Sequence, residues 1–215
     1  MPTAATLFSA GKDSTLAALL LDPFYDVVAC HCTFGLSIES SMGPSGGPSV
    51  VETAREAGER VGFPVATVEL DERVAREAVE RMVADGYPRE GIQLVHEHAL
   101  ETVAGLERVG GKSFAVVADG TRRDDRAPVI DRPFAQSLED RHGVDYVRPL
   151  AGYGRGAIDD LAARSLDVER GPSEELATGD YETELRALMA DEYGSGVVDE
   201  VFPEHTQSRV VGRGE

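Results

Sequence analysis

The stretch at residues 3–21, TAATLFSAGKDSTLAALLL, decides the fold of this chain. The apolar run at residues 4–8 predicts a buried strand, and the apolar run at residues 15–21 predicts a helix. A turn of mostly small and polar residues, 9–14, connects the two. This order brings the free N–H groups of a helix start and the positive end of the helix dipole to one place. The stretch therefore predicts a phosphate-binding site.

Lysine usage singles out one residue of this turn. The chain has 21 basic residues, of which only Lys12 and Lys112 are lysines. A compact ammonium group can approach a phosphate from within a turn, whereas the guanidinium of arginine is broad and planar. The alternative is a tight polar turn with no ligand, but a turn alone gives no reason for Lys12 and Asp13.

Two common phosphate loops do not fit the stretch. The Walker loop requires glycine where this chain has Thr6, and Ser or Thr where it has Asp13. The dinucleotide fingerprint requires three spaced glycines, and only Gly11 is present. The turn instead resembles the Ser-Gly-Gly-x-Asp-Ser loop of the N-type ATP pyrophosphatases, also called the PP-loop or adenine nucleotide alpha-hydrolase-like superfamily. Ala10 stands at that family's first glycine, so we expect a negative φ there or little strain.

The rest of the chain alternates short apolar strands with helices, which predicts an α/β fold. The expected architecture is Rossmann-like, with three layers and a parallel sheet of about five strands. Strands are predicted at residues 4–8, 25–34, 64–70, 113–118 and 144–147, and helices at 15–21, 50–61, 72–84, 92–106, 132–141, 157–166 and 181–193. We interpret residues 1–170 as the ATP-binding domain and residues 171–215 as a C-terminal helix with an irregular tail.

Two segments of the chain, one loop and the C-terminal tail, each have two interpretations. Residues 36–49, rich in Gly, Ser and Pro, predict a mobile lid over the ligand crevice, with a plain loop as the alternative. The polar residues of the tail, among them His205 and Ser208, either fold back over the crevice or are disordered, and we favour disorder.

A second motif, Asp119-Gly120-Thr121-Arg122-Arg123-Asp124-Asp125-Arg126, follows the fourth predicted strand. Ligands bind at the carboxyl ends of strands in such sheets, and these charges exceed what a connecting turn needs. The alternative is a solvated turn of mixed charge. The motif resembles the second signature of PP-loop enzymes, most closely the sulfur transferase of nickel-pincer cofactor assembly. That enzyme uses a downstream cysteine, and this chain has none after Cys32.

The resemblance implies ATP and Mg²⁺ as ligands and assigns roles to individual residues. Lys12, Asp13, Asp124 and Asp125 would be catalytic, and Asp13, Asp119 and Asp125 would hold the Mg²⁺. The nucleotide would be bound by Ser9, Ala10, Gly11, Ser14, Thr15, Cys32, Thr33, Phe34, Gly120, Thr121 and Arg122. The first and fourth strands would lie side by side, with the two motifs on the order of 10 Å apart to suit a Mg-triphosphate.

The implied activity is cleavage of ATP between the α and β phosphates, which adenylates an acceptor for attack by a nitrogen or sulfur nucleophile. The acceptor, a small molecule or a tRNA, is left open, as are a homodimer and a separate nitrogen or sulfur donor protein. The alternatives are a nucleotide-binding sensor without turnover and a tRNA-thiolating enzyme. The absence of a basic stripe in the sequence argues against the second.

Two small clusters of His and Cys residues are poorly placed to bind a metal ion. In an extended strand, Cys30 and Cys32 face one side and His31 the other, so we expect them to pack in the core. His96 and His98 are two residues apart on a predicted helix and point in different directions.

Composition indicates a protein adapted to high salt. The formal net charge is −18 and the pI is about 4.6, with 39 acidic residues. Hydrated carboxylates whose repulsion is screened are typical of a saline cytosol, although an ordinary acidic protein is the alternative. The sequence has no apolar run long enough for a membrane span and no signal peptide, so we expect a cytoplasmic protein.

Unscreened repulsion between carboxylates predicts that the fold is unstable in low salt. We expect the melting temperature, followed by circular dichroism, to rise by about 10 °C or more between low-salt buffer and molar KCl. An unchanged melting temperature across this range would contradict the halophilic interpretation.

Overall fold

The computed structural model describes residues 1–36, 49–172, 176, 178–203 and 206–214. A parallel sheet of five strands lies at its centre, in the order β3-β2-β1-β4-β5. The strands are β1 (Thr3–Leu7), β2 (Asp26–Thr33), β3 (Val65–Glu69), β4 (Val116–Ala118) and β5 (Asp145–Val147). The predicted α/β fold with a parallel sheet of about five strands is confirmed.

Helices cover both faces of this sheet, which gives the three layers expected. The helices are α1 (Lys12–Leu21), α2 (Val50–Val61), α3 (Glu72–Asp85), α4 (Arg89–Ala104), α5 (Arg132–His142), α6 (Arg155–Ser165), α7 (Tyr181–Tyr193) and α8 (Ser195–Val201). Apolar side chains of α1, α2 and α6 form the core on one face of the sheet. Those of α3, α4, α5, α7 and α8 form the core on the other face.

Local sequence signals explain where several helices begin. Ser49 forms a capping box with Glu52 at the start of α2. Asp71 and Asp131 accept hydrogen bonds from the first turns of α3 and α5, as their side chains predict. Asp180 caps α7 in the same way. The predicted range of α2 matches the observed helix, and the cap predicted at Asp71 is confirmed.

The helix that follows the first turn begins earlier than predicted. We expected it at residue 15, but α1 begins at Lys12 with Gly11 as its N-cap. Lys12 and Asp13 therefore lie in the first helical turn, not in the loop before it. Their backbone N–H groups point out of the helix start, where an anion would bind.

The C-terminal tail is ordered where the structure describes it. A second, antiparallel sheet consists of β6 (Leu166–Pro172) and β7 (Thr206–Arg213), and neither strand was predicted. The short helix α8 was also missed. The expectation of disorder at Ser208 is wrong, since Ser208 lies in β7. His205 lies outside the described residues, and so does most of the segment 36–49 for which we predicted a lid.

The expectation of a negative φ at Ala10 is wrong. Ala10 has φ of +59°, in the left-handed region that glycine adopts without penalty. For an L-residue this conformation costs about 1–2 kcal/mol. The conformation is held from outside, because the Val210 N–H of β7 donates to the Ala10 carbonyl at 2.9 Å.

The first and second motifs meet because β1 and β4 pair directly as parallel neighbours. Gly120, just after β4, packs on the start of α1. A Cβ atom at Gly120 would lie 2.7 Å from the Ser14 Cα and 2.8 Å from the Asp13 carbonyl carbon. The two motifs are thus in contact and closer than the expected 10 Å, since the second motif has no side chain at the point where it meets the helix.

Among the described residues, no helix is both long and apolar enough to cross a membrane.

The close approach at Gly120 predicts a steric effect of a single methyl group. We expect Gly120→Ala to lower the free energy of unfolding by about 1–3 kcal/mol, because rigid backbone atoms of α1 must move. The matched control is Gly152→Ala, where an added Cβ meets nothing within 4 Å. Equal chemical-denaturation midpoints for the two variants would contradict the packing of the motifs.

Candidate functional site

A cavity of ≈ 300 Å³ opens where the carboxyl ends of β1, β2 and β4 meet. The start of α1 and the second motif form one wall, and residues from α4, the start of α7 and β7 form the others. Among the predicted site residues, those that line it are Ser9, Gly11, Lys12, Asp13, Ser14, Cys32, Asp119, Gly120, Thr121 and Asp125. Both motifs therefore contribute to one cavity.

The first loop presents unused backbone donors to this cavity. The Ser9 N–H donates to Ser14 Oγ at 3.2 Å, and Ser14 Oγ lies 3.2 Å from the Gly11 carbonyl, so these side chains stabilise the loop itself. At the helix start, the Lys12 N–H donates to Ser208 Oγ of β7. The next two N–H groups, of Asp13 and Ser14, have no hydrogen-bond acceptor among the described residues. A helix start with such free donors is an anion-binding geometry.

Lys12 is buried and held by carboxylates. Its Nζ lies 2.6 Å from Asp13 Oδ1 and 3.3 Å from Asp159 Oδ1 of α6. Only 9% of the residue is exposed, so the ammonium group has limited contact with solvent. A buried cation beside an anion-binding helix start strengthens the case for a phosphate ligand.

Arg122 joins the two motifs electrostatically. Its guanidinium binds Asp125 at 2.8 Å and lies 3.6 Å from Asp13 Oδ2 and 3.6 Å from Asp124 Oδ1. Burial lowers the pKa of Arg122, but the hydrogen bond to Asp125 and the nearby carboxylates raise it by more. Asp13 thus lies between two cations, one from each motif.

Asp119 does not fit its predicted role as a metal ligand. Its carboxylate is fully buried and accepts four hydrogen bonds. Thr121 donates its N–H and hydroxyl to Oδ1, and the His96 ring and Tyr146 hydroxyl lie 2.9 and 2.6 Å from Oδ2. A carboxylate has about four lone-pair sites, so these are all occupied. Asp119 instead anchors the second motif and orients His96.

His96 connects Asp119 to the cavity. Its Nε2 lies 2.9 Å from Asp119 Oδ2, and its Nδ1 lies 2.9 Å from the Tyr181 hydroxyl. An ionised Asp119 only accepts, so the ring donates from Nε2, and in its neutral form it accepts the Tyr181 proton at Nδ1. Burial and nearby anions raise the pKa of Tyr181 well above its usual value. Tyr181, His96 and Asp119 thus form a hydrogen-bonded chain from the cavity lining to a buried carboxylate.

The two cysteines have the orientation predicted. Cys30 and Cys32 line the cavity, whereas His31 does not. Burial raises the pKa of Cys30 to about 12 and that of Cys32 well above its usual value, so both remain thiols. Burial lowers the pKa of His31 to about 4, partly offset by the backbone of Phe8 and Gly179, so that ring is neutral.

The end of β2 binds a glutamate, and two predicted nucleotide-binding residues do not line the cavity. The Thr33 hydroxyl and the Phe34 N–H donate to Glu184 of α7 at 2.8 and 3.0 Å. Burial raises the pKa of Glu184, while these hydrogen bonds lower it, and the net effect is a raised pKa. Thr33 and Phe34 are therefore used in fixing α7 against the sheet.

Four further predicted residues also lie outside the cavity lining. Ala10 and Thr15 are fully buried beneath the loop, and the Thr15 hydroxyl donates to the Gly11 carbonyl at 2.8 Å. Arg122 lines a different cavity, and Asp124 lies 3.6 Å from the Arg122 side chain.

The C-terminal part of the chain completes the site, so for Ser208 the alternative that the tail folds back over the crevice holds, and not the disorder that we favoured. The Gly179 N–H donates to the Ser9 carbonyl at 3.0 Å, and Ser208 and Gln207 line the cavity beside the loop. His96 and Tyr181 were missed. No local motif marks any of these residues, and only the fold brings them to the loop.

Among the described residues, no three His, Cys, Asp or Glu side chains form a group that could hold a metal ion. Of the predicted Mg²⁺ ligands, Asp13 and Asp125 remain at the cavity as partly exposed carboxylates. Mg²⁺ usually binds to one or two protein carboxylates together with water and phosphate oxygens, so this pair fits a nucleotide-bound ion.

Comparisons with known proteins identify a family. The model of a family described as "Family of unknown function (DUF7411)" matches residues 2–212, and the chain belongs to that family. "Uncharacterized protein MJ0690" of Methanocaldococcus jannaschii is 34% identical over 207 residues, which cover 96% of this chain and 94% of that protein. A crystal structure from the same organism, described as a predicted subunit of tRNA methyltransferase, superposes with a TM-score of 0.81 and 32% identity. That match covers 100% of this chain and 99% of that one.

The buried Asp119 predicts an acid-sensitive contribution to stability. Burial raises its pKa, but His96, Thr121 and Tyr146 together bring it below the ordinary 3.8. Its contribution is therefore present above about pH 4 and is lost as the pH falls through the folded-state pKa. We expect Asp119→Asn, which sets an amide NH₂ against the donors, to lower the free energy of unfolding by about 3 kcal/mol at pH 7.

The difference in the free energy of unfolding between Asp119→Asn and wild type should become smaller below pH 4. Urea titrations at several pH values would measure it. The exposed Asp140 provides the control variant Asp140→Asn, for which we expect little change at either pH. A pH-independent difference for Asp119→Asn would contradict an ionised Asp119.

Proposed function

We propose that the chain binds ATP in the cavity between the two motifs and cleaves it between the α and β phosphates, adenylating an acceptor and releasing pyrophosphate. The observation that carries this proposal is the start of α1, where the Asp13 and Ser14 N–H groups have no acceptor among the described residues and where Lys12, Asp13 and Ser14 all line one cavity. Pyrophosphate, the leaving group, carries the most concentrated negative charge in the reaction, and this is where fixed donors are most effective.

The residues divide into roles that follow from their positions. The Asp13 and Ser14 N–H groups would bind phosphate oxygens, and Lys12 would offset the charge that develops on the leaving pyrophosphate. The apolar floor of the cavity, including Leu7, Phe8 and Cys32, suits the flat face of a base. The same loop already forms ion pairs within the protein, so a phosphate would take over Lys12 from Asp13 and Asp159.

Tyr181 and His96 would serve the acceptor. An acceptor oxygen or a later nucleophile that bears a proton must lose it, and the Tyr181 hydroxyl stands at the cavity with His96 behind it. Asp119 stabilises the imidazolium that results from proton transfer. This arrangement supports chemistry on an acceptor beyond nucleotide binding alone.

Asp13 and Asp125 would hold Mg²⁺, which supplies charge neutralisation of the triphosphate when it is bound. Arg122 forms ion pairs with both of these carboxylates, at 3.6 Å to Asp13 Oδ2 and 2.8 Å to Asp125 Oδ1.

A second candidate function is a part in tRNA modification, favoured by the likeness to the predicted tRNA methyltransferase subunit over the whole chain. Adenylation of a tRNA base is compatible with the same cavity chemistry. A thiolation mechanism through the protein's own sulfur is less well supported, because the sequence has only Cys30 and Cys32 and both are buried thiols with raised pKa values.

A pyrophosphate-release assay with Mg-ATP and cell extract as the source of acceptor tests the proposal. We expect wild type to release pyrophosphate and AMP-derived product, and Lys12→Ala to release it about 100-fold more slowly. The matched control is Lys112→Ala, the other lysine of the chain, which is half exposed and pairs with Asp26 at 2.5 Å. We expect its rate to match wild type.

The products distinguish the alternatives. Release of ADP and phosphate would overturn cleavage at the α phosphate. Tight ATP binding by calorimetry without any turnover in the full extract would favour a nucleotide sensor, and stimulation by purified tRNA alone would favour the modification candidate.

A further inference from the structure

We infer that a second cavity, next to the nucleotide cavity, is a binding site for a small acceptor that bears a phosphate or carboxylate group. The inference rests on the proposed function, because it names the class of acceptor that the nucleotide site would adenylate. The cavity has a volume of ≈ 340 Å³ and lies between the second motif, the start of α5 and the segment that follows β5. Arg122, Arg123, Arg132 and Arg148 line it.

Three of these arginines have no partner of opposite charge in the part of the chain that the structure describes. Arg122 is paired with Asp125, but the side chains of Arg123, Arg132 and Arg148 form no ion pair or hydrogen bond among the described residues. Elsewhere in the described residues some arginines pair with carboxylates, as Arg60 does with Glu56, and others, such as Arg126 and Arg164, form no ion pair. What distinguishes Arg123, Arg132 and Arg148 is that they line one cavity together with Arg122, in a chain of net charge −18.

The carboxylates at this cavity do not neutralise the three cations. Asp125 and Asp131 line it, but Asp125 is bound by Arg122 and Asp131 caps α5 by accepting the Phe134 N–H at 2.8 Å. Arg123 also extends toward the start of α6, since its Nη2 lies 3.8 Å from where a Cβ on Gly154 would stand. A cation beside a helix N-terminus is unfavourable by itself, and an anion between them would be stabilised by both.

The position of the second cavity connects it to the nucleotide chemistry. Asp125 lines both cavities, and the Arg122–Asp125 pair forms the partition between them. An anion held by Arg123, Arg132 and Arg148 would therefore keep the rest of its molecule next to the second motif. Guanidinium groups recognise phosphate and carboxylate through paired hydrogen bonds, which fixes orientation as well as affinity.

The size of the second cavity favours a small molecule over RNA as its ligand. Nucleic-acid binding depends on many phosphate contacts spread over a surface, and this chain offers one compact basic cavity on a strongly acidic protein. A cavity of this volume suits a metabolite-sized ligand.

Arginine labelling with phenylglyoxal, resolved by residue with mass spectrometry, tests the inference without ATP. The probes are inorganic phosphate, succinate and a single-stranded RNA oligonucleotide, each at constant ionic strength. We expect saturating phosphate or succinate to slow the labelling of Arg123, Arg132 and Arg148 by about fivefold or more. The internal controls are Arg126 and Arg164, which are exposed and do not line the cavity, and their rates should stay the same.

A double variant, Arg132→Gln with Arg148→Gln, separates this site from the nucleotide site. We expect it to abolish the protection of Arg123 by phosphate while its affinity for ATP, measured by calorimetry, stays that of wild type. Equal slowing at all five arginines, or protection by the RNA alone, would overturn the inference. If protection holds but no extract supports pyrophosphate release, the anion site stands and its role as an acceptor site is overturned.

Discussion

The contact between Gly120 and the start of α1 is the constraint on which the site depends. Parallel pairing of β1 with β4 brings two loops to the same edge of the sheet, but pairing alone leaves room for side chains between them. The absence of a side chain at Gly120 lets backbone meet backbone, and Arg122 then reaches Asp13 across the junction. The free N–H groups of α1, the cation Lys12 and the carboxylate of Asp125 consequently face one small volume. A wider gap between the two motifs would separate the N–H groups of α1 from the charged side chains of the second motif.

The interior of the protein supports this junction through a buried polar network. Asp119 follows β4 directly, and its four hydrogen bonds fix the turn that presents Gly120. One of its partners, His96, comes from α4, so the helix layer on that face is tied to the turn. A buried carboxylate with every lone pair occupied is rigid, because loss of any one donor leaves a charge insufficiently solvated. The same residue thus gives the second motif its shape and gives His96 its orientation.

The sequence alone predicted the architecture and one side of the site, for reasons that particular residues make clear. Apolar runs such as those of β1 and β2 are buried on both faces and are readable without tertiary information. Likewise, the small-residue turn and the helix start that follows it are encoded within a few residues. The roles given to Asp119 and Phe34 took no account of their hydrogen-bond partners, His96 and Glu184, because these lie far away in the sequence. A motif shows which side chains are present and not what already binds them.

The strands β6 and β7 show a second limit of local reasoning. Their sequences, LDVERGP and TQSRVVGR, are polar and contain glycine, and each is stabilised mainly by pairing with the other across some forty residues. Strand pairing between distant segments leaves no periodic apolar signal when one face is exposed. Ser208, whose Oγ accepts a hydrogen bond from the Lys12 N–H, was therefore expected to be disordered.

The dependence of the first loop on the last strand has a consequence for how the protein is made. Gly179 and Val210 supply backbone hydrogen bonds to Ser9 and Ala10, near the opposite end of the chain. The ribosome translates these partners long after the loop, so a nascent chain can assemble the five-stranded sheet before Ala10 is held in its left-handed conformation. The loop is therefore one of the last parts of this fold to reach its final shape. Loss of β7 would leave the residues of the five-stranded sheet in place but remove the hydrogen bond from Val210 that holds Ala10.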